Sequence, residues 1–336
     1  MIKKDFRFLV LLSVVGLLTA CNAAEEADGD NSIHLIMATQ LDANSPFAAG
    51  FEKFQDVLEE KSNGEMTAEI HTDGALGGNE DELVRSLETG AVDMTVVSPG
   101  FMTQAVEEVD LFSLPYLFTS EEHWEQAMDG EVGEETRERV EDDSNLRVLD
   151  YWSAGVRHYY GFEPIEEPED LRNVSIRAQD SPAVQDAWES LGALPTSVAW
   201  DEMYQGLQNR VVDASENDLT NIYQASHHEI APHITLTEHD FTTRMFLTSD
   251  RVFEQLDDEQ EAIFWEAVEE ATEMARETDM EMAEESKELL IEEGAEIHDV
   301  DIVPFIEETE EVRERAAEEL GVEELYEKIA DIRDEE

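Results

Sequence analysis

Between residues 33 and 97 the hydrophobic pattern changes period repeatedly, and that alternation restricts the architecture more than any other feature. Ile33-His34-Leu35-Ile36-Met37-Ala38 is a short apolar run that predicts a buried strand. Asn44-Ser45-Pro46 then supplies a helix start, with proline tolerated in the first turn. Phe47, Phe51, Phe54 and Leu58 fall on one helical face, and Asn63-Gly64 ends that segment. A second strand is predicted over 67–71, a helix over 81–88 and a third strand over 91–97. A β-α-β-α-β order of this kind predicts an α/β sheet with parallel strands and helical covers. The intervening Asp73-Gly74-Ala75-Leu76-Gly77-Gly78 lacks both the dinucleotide fingerprint and the P-loop Lys-Ser/Thr, so it reads as a structural turn.

The alternation resumes after residue 146. Strands are predicted over 146–151, 174–177, 211–213 and 245–248, with helices from Ser181-Pro182 through Leu191 and over 201–208. Residues 260–290 contain few breakers, and Ile263, Phe264, Ala267, Val268, Ala271 and Ala275 keep helical spacing, so one very long helix is expected there. No internal repeat is evident.

With 336 residues and 41% hydrophobic content, the chain can bury the cores of two domains. Its 84 acidic residues against 21 Lys and Arg give a formal net charge of -63, which argues against nucleic acid and anionic lipid as partners. Recurring apolar and aromatic segments favour a folded protein adapted to concentrated salt, where screening acts over about 3 Å. At the start, Lys3, Lys4 and Arg7 precede an apolar run over 8–18, right for a signal-peptide core and short for a membrane span. Leu18-Thr19-Ala20-Cys21 follows and resembles a bacterial lipobox, with Cys21 as the lipidation site. Cys21 is the sole cysteine, so no intrachain disulfide can form. The expected organisation is a signal peptide over 1–20, an acidic tether over 21–32, a first lobe from 33–154 plus about 243–280, and a second from about 155–242 plus 281–336.

Several ordered phrases carry a family resemblance: Leu76-Gly77-Gly78-Asn79-Glu80 through Gly90-Ala91-Val92-Asp93-Met94, Leu114-Pro115-Tyr116-Leu117-Phe118, Gly155-Val156-Arg157, Asp170-Leu171-Arg172-Asn173-Val174-Ser175-Ile176-Arg177, Leu191-Gly192-Ala193-Leu194-Pro195-Thr196, and Trp200-Asp201-Glu202-Met203-Tyr204 through Val212-Asp213-Ala214-Ser215-Glu216-Asn217. Together, over roughly 33–325, they resemble the solute receptors of TRAP transporters, the dicarboxylate-binding DctP type. Asn173 stands where that family usually has glycine, and Asn209-Arg210 replaces its Thr-Gly. The resemblance implies a two-lobed, periplasmic-binding-protein-like α/β fold of the type II kind, with a long helix across both lobes. It also implies extracytoplasmic capture of a small organic acid and delivery to the membrane subunits of a TRAP permease.

Among candidate ligand residues, Arg177 ends a short apolar strand, and its planar guanidinium can hold a carboxylate through two parallel hydrogen bonds. A salt bridge to Asp180 is the competing reading. The resemblance makes Arg177 the ligand arginine, Arg157 a second one and Asn217 a ligand amide, and it puts an aromatic, Trp200, at the cleft. Trp152, Ser98, Phe101, Gln40 and Phe241 are further cleft candidates by position. His227, His228 and His233 lack orderly metal-ligand spacing and no EF-hand loop is present, so neither metal nor cofactor is expected. No G-x-S-x-G, H-E-x-x-H or catalytic cysteine suggests an enzyme. Two arginines favour a dicarboxylate, keto acid or sugar acid. An ectoine-like solute, or a role as receptor for a sensor kinase, are the alternatives. A lipid-anchored monomer outside the cytoplasm is the expected state.

Overall fold

The computed structural model describes residues 32–178 and 181–335. Strand β1 (Ile33–Ala38) pairs in parallel with β2 (Met66–His71) and β3 (Met94–Val97). Helix α1 (Pro46–Lys61) begins where the Ser45 side chain accepts from the Ala48 N–H. Helix α2 (Glu80–Thr89) is capped by Asn79, and Gly90 closes it at φ +76°. The 73–78 segment is indeed a turn, held by the Gly74 N–H on the Thr39 carbonyl. Helices α3 (Glu121–Met128) and α4 (Glu131–Asp143) lead into β4 (Leu146–Gly161). Then come β5 (Ser175–Arg177), α5 (Pro182–Ser190), β6 (Leu194–Thr196), α6 (Met203–Gln208), β7 (Ala214–Asp218), α7 (Leu219–Gln224) and β8 (His233–Ser249). The chain closes with α8 (Asp250–Phe253), α9 (Asp258–Glu292), β9 (Glu296–Asp299), α10 (Val303–Glu308), α11 (Glu310–Leu320) and α12 (Glu323–Glu335).

The sheet runs β2-β1-β3-β8-β4-β7-β5-β6, with β9 also on β8. The two central strands, 16 and 17 residues long, far exceed a usual strand of about 5–6. They pair antiparallel with each other and serve both lobes. Residues 245–248 of β8 pair with β3 in the first lobe, while 157–161 of β4 pair with β7 in the second. Between those ends the ladder slips, at Ser153/Val156 and at Arg157/Tyr159, so the crossing is irregular where the lobes meet.

Helix α9 ties the halves together from outside the sheet. Its 35 residues span about 52 Å. Asp257 and Gln260 form a capping box at its start. Phe264, Ala267, Val268 and Ala271 pack on the Phe47, Phe51 and Phe54 stripe of α1, whereas Leu290 joins the second-lobe core with Tyr160, Met203 and Ile234. The predicted long helix is therefore present, two residues longer at each end. At the C-terminus, Ala317, Val322, Leu325 and Ile329 of α11 and α12 pack with Trp124, Val132, Leu146 and Leu247 of the expected first lobe, while Arg315 of α11 pairs with Asp186 of α5 in the expected second.

Candidate ligand-binding site

Several candidate side chains lie on or beside β4 and β8, the strands that the two lobes share. Arg157 of β4 stands opposite Asp218 of β7 and is 8% exposed. Its Nε donates to Glu216 Oε2 at 2.6 Å, its Nη1 to Asn217 Oδ1 at 2.9 Å, and its Nη2 to the Glu216 carbonyl at 3.1 Å. His239 Nε2 lies 3.3 Å from the same Glu216 oxygen, and Asp240 lies 4.0 Å from Arg157. Burial would weaken the charge on Arg157, but the Glu216 charge and bond outweigh it and raise the guanidinium pKa. Burial likewise pushes Glu216 up, yet Arg157 and the bond from His239 bring its pKa down to about 2. The pair is a buried, internally neutralised ion pair. Arg157 therefore positions Asn217 and Glu216, and its expected role as a freely presented ligand cation is not what this geometry favours.

Arg177 is differently placed. It closes β5 in register with Ser215 of β7, two residues from Asn217. Its Nε donates to the Val198 carbonyl at 3.1 Å, and its guanidinium lies 5.9 Å from the Trp200 ring. Among the described residues no carboxylate pairs with it; Asp180 lies outside them. Trp200 is 39% exposed and meets the His227 ring edge-on at 4.9 Å. His227 is in turn fixed by Tyr160, whose hydroxyl lies 2.7 Å from Nδ1. Burial first, and the Arg177 charge second, lower the His227 pKa to about 4, so this histidine adds no second cation beside Arg177 near neutral pH.

The first-lobe side is organised by Glu80, which opens α2 and is almost fully buried. One carboxylate oxygen accepts from Gln40 Nε2 and the other from the Ser98 backbone N–H, both at 2.6 Å. Arg244 of β8 approaches the same carboxylate at 3.6 Å. Arg244 and Arg157 together line a cavity of about 310 Å³ with Asp42, Phe47 and Asn221, and a smaller recess of about 50 Å³ with Ser98 and Asp240. A further cavity of about 310 Å³, lined by Trp124, His158, Phe241 and Asp279, lacks all of these arginines.

The structure thus brings together Arg157 with Asn217, Gln40 with Ser98, and Arg177 with Trp200. Trp152 was expected in the cleft and is not there. It is 0% exposed, packed against Phe47, Phe51 and Phe246, with its indole N–H on Thr272 of α9. Phe101 is 39% exposed at the end of a short turn and lines neither cavity that holds Arg157. Phe241 lines the arginine-free cavity. Glu80 and Arg244 escaped the sequence reading. Arg244, a lone cation just ahead of the apolar run 245–247, was the available signal. Cys21, the signal peptide and all but the last residue of the tether lie outside the described residues, among which no helix is long and apolar enough to cross a membrane.

Comparison with known proteins places this geometry. A model of bacterial extracellular solute-binding proteins, family 7 (DctP), matches residues 37–320. A solute-binding protein of Sulfitobacter sp. strain NAS-14.1 is 27% identical over 240 residues, covering 71% of this chain and 73% of the relative. The C4-dicarboxylate-binding protein of Bacillus subtilis is 27% identical over 231 residues, covering 68% and 65%. A TRAP periplasmic solute-binding protein of Ochrobactrum anthropi superposes with a TM-score of 0.86 at 27% identity, over 91% of this chain and 98% of that one. One from Pseudomonas putida F1, solved with bound D-glucuronate, gives 0.78 at 28% identity, over 89% and 97%. The Sulfitobacter structure, with bound β-D-galacturonate, gives 0.77 at 28% identity, over 87% and 99%. The two lobes, the shared crossing strands and the long helix are the architecture of these receptors, and the chain belongs to bacterial extracellular solute-binding protein family 7, the solute receptors of TRAP transporters.

Proposed function

We propose that this receptor captures a small sugar acid, gripping its carboxylate with Arg177, and delivers it to the membrane subunits of a TRAP permease. The observation that carries the reading is the Arg177–Trp200 pair. Arg177 donates through Nε to the Val198 carbonyl, and a guanidinium so oriented can hold a carboxylate through two parallel hydrogen bonds. The exposed indole beside it offers an apolar face to a sugar ring. Each charge-assisted bond contributes about 1.5–3 kcal/mol net, and a micromolar complex needs about 8 kcal/mol in all. Two such bonds, indole contact and water exclusion on lobe closure reach that range. The hexuronates held by the Pseudomonas and Sulfitobacter receptors support the substrate class. Anchoring through a lipid on Cys21, outside the cytoplasm, completes the proposal.

A thermal-shift screen in molar salt tests it, with D-glucuronate, D-galacturonate, succinate, ectoine and neutral glucose. The expected result is a rise in Tm with the hexuronates and none with glucose. An equal rise with glucose, or a response to ectoine alone, overturns the assignment.

A further inference from the structure

Away from the cleft, the start of β8 and the edge strand β9 carry an arrangement that ligand capture does not use. Their parallel register sets His233 opposite Glu296 and Thr235 opposite His298. Residues two apart on a strand share a face, so Glu296 and His298 point the same way as His233. His233 Nδ1 lies 3.1 Å from His298 Nε2 and 3.8 Å from Glu296 Oε2, and one ligand atom from each of the three falls within 4.8 Å of the others. The two rings are tilted by 36° with centroids 5.3 Å apart, so they meet nitrogen to nitrogen rather than stacking.

We infer that His233, Glu296 and His298 form a binding site for a divalent transition metal of the zinc class. Two imidazole nitrogens held about 2.05 Å from one ion at roughly 100° stand about 3.1 Å apart, so the rings already have the separation of neighbouring ligands. Two nitrogens and one carboxylate suit a borderline ion rather than calcium or magnesium, which favour oxygen alone. Glu296 is largely exposed and closes the set by a side-chain rotation. Three protein ligands leave a fourth position for water. The site joins the strand that follows α9, which ends at Glu292, to the first residue of the crossing strand. A bound ion would therefore pin the end of the long helix to the second lobe.

Zinc chloride titrated by calorimetry into the purified protein tests this, in molar NaCl with millimolar magnesium present to occupy carboxylate-only sites. The expected result is one zinc per chain, a higher Tm with zinc, and visible absorption of tetrahedral intensity when cobalt replaces zinc. His298→Ala and the exposed Glu296→Ala should each weaken zinc binding by more than about tenfold, while hexuronate binding, used to check folding, is retained. Absence of binding in the unaltered protein, or binding unchanged in both variants, overturns the site.

Discussion

Asp279 lies on the long helix and reaches across to the crossing strand. Its Oδ2 accepts from Ser153 Oγ and from the Gly155 N–H, both at 2.8 Å. Burial raises its pKa from 3.8 to about 6, against the lowering effect of those two bonds. Between those two values the native state binds more protons than the unfolded chain. Stability from this group is therefore fully present below about pH 4, is lost as pH rises toward 6, and changes little above that. Asp279→Asn keeps an acceptor oxygen without the buried charge. It should raise stability at pH 8 by about 3 kcal/mol at most, and by much less at pH 4, in thermal unfolding at fixed salt. At this scale the sequence was informative where chemistry is local. Arg177 and Asn217 stand in short, recognisable phrases, and the structure sets them on the neighbouring strands β5 and β7. Trp152 misled because a strand covered on both faces gives no period to distinguish the cleft side from the side that α9 covers. Glu80 was illegible because its burial follows from Gln40 and Ser98 arriving from two other segments.

The crossing strands depend on an irregularity. Gly155 sits in the slipped stretch of β4 at φ +79°, where a Cβ would meet the Asp218 Cβ at 2.7 Å. Gly155→Ala should cost about 1–3 kcal/mol of stability and weaken ligand binding, because the strain falls where the crossing strand passes from one lobe to the other. Parallel thermal unfolding and ligand titration check this, and an unchanged affinity would contradict it. Two loops that depart from the family's glycines keep the glycine geometry: Asn173 at φ +65° and Arg210 at φ +57°. Asparagine tolerates that region, while Arg210 also lays its guanidinium over the Phe162 ring. Helices α1, α2, α5 and α9 and strands β1, β2, β3 and β5 were legible from period and caps, whereas the segment 211–213, expected as a strand, is not one, and β7 begins only at Ala214, in a polar Ala-Ser-Glu-Asn-Asp run that carries no apolar signal. The two long strands were not legible in full, since each was visible only where its apolar run was unbroken. The packing of α12 against α4 follows from contacts nearly 200 residues apart, Lys328 with Glu131 and Glu135, which no local pattern encodes.

Over the whole chain, 84 acidic side chains stand against 21 Lys and Arg. In dilute buffer that charge repels itself and also repels an anionic ligand. At molar salt both effects are confined to about 3 Å. Stability and hexuronate affinity should both rise as salt is raised from about 0.1 M to molar levels. Unfolding and titration across a salt series check this, and affinity that climbs as salt is removed would refute it. The deep pairs, such as Arg157 with Glu216, are shielded from this screening by burial, so the lobe junction should keep its geometry in either condition.

Calorimetric titration of D-glucuronate and D-galacturonate into Arg177→Ala, beside the unaltered protein and in molar salt, bears most directly on the site. Heat of binding that disappears in the variant, with its unfolding curve intact, is the outcome expected of a carboxylate clamp. Undiminished affinity would mean that some other group takes the acid, and that Arg177 serves only to hold the 198–200 segment in place.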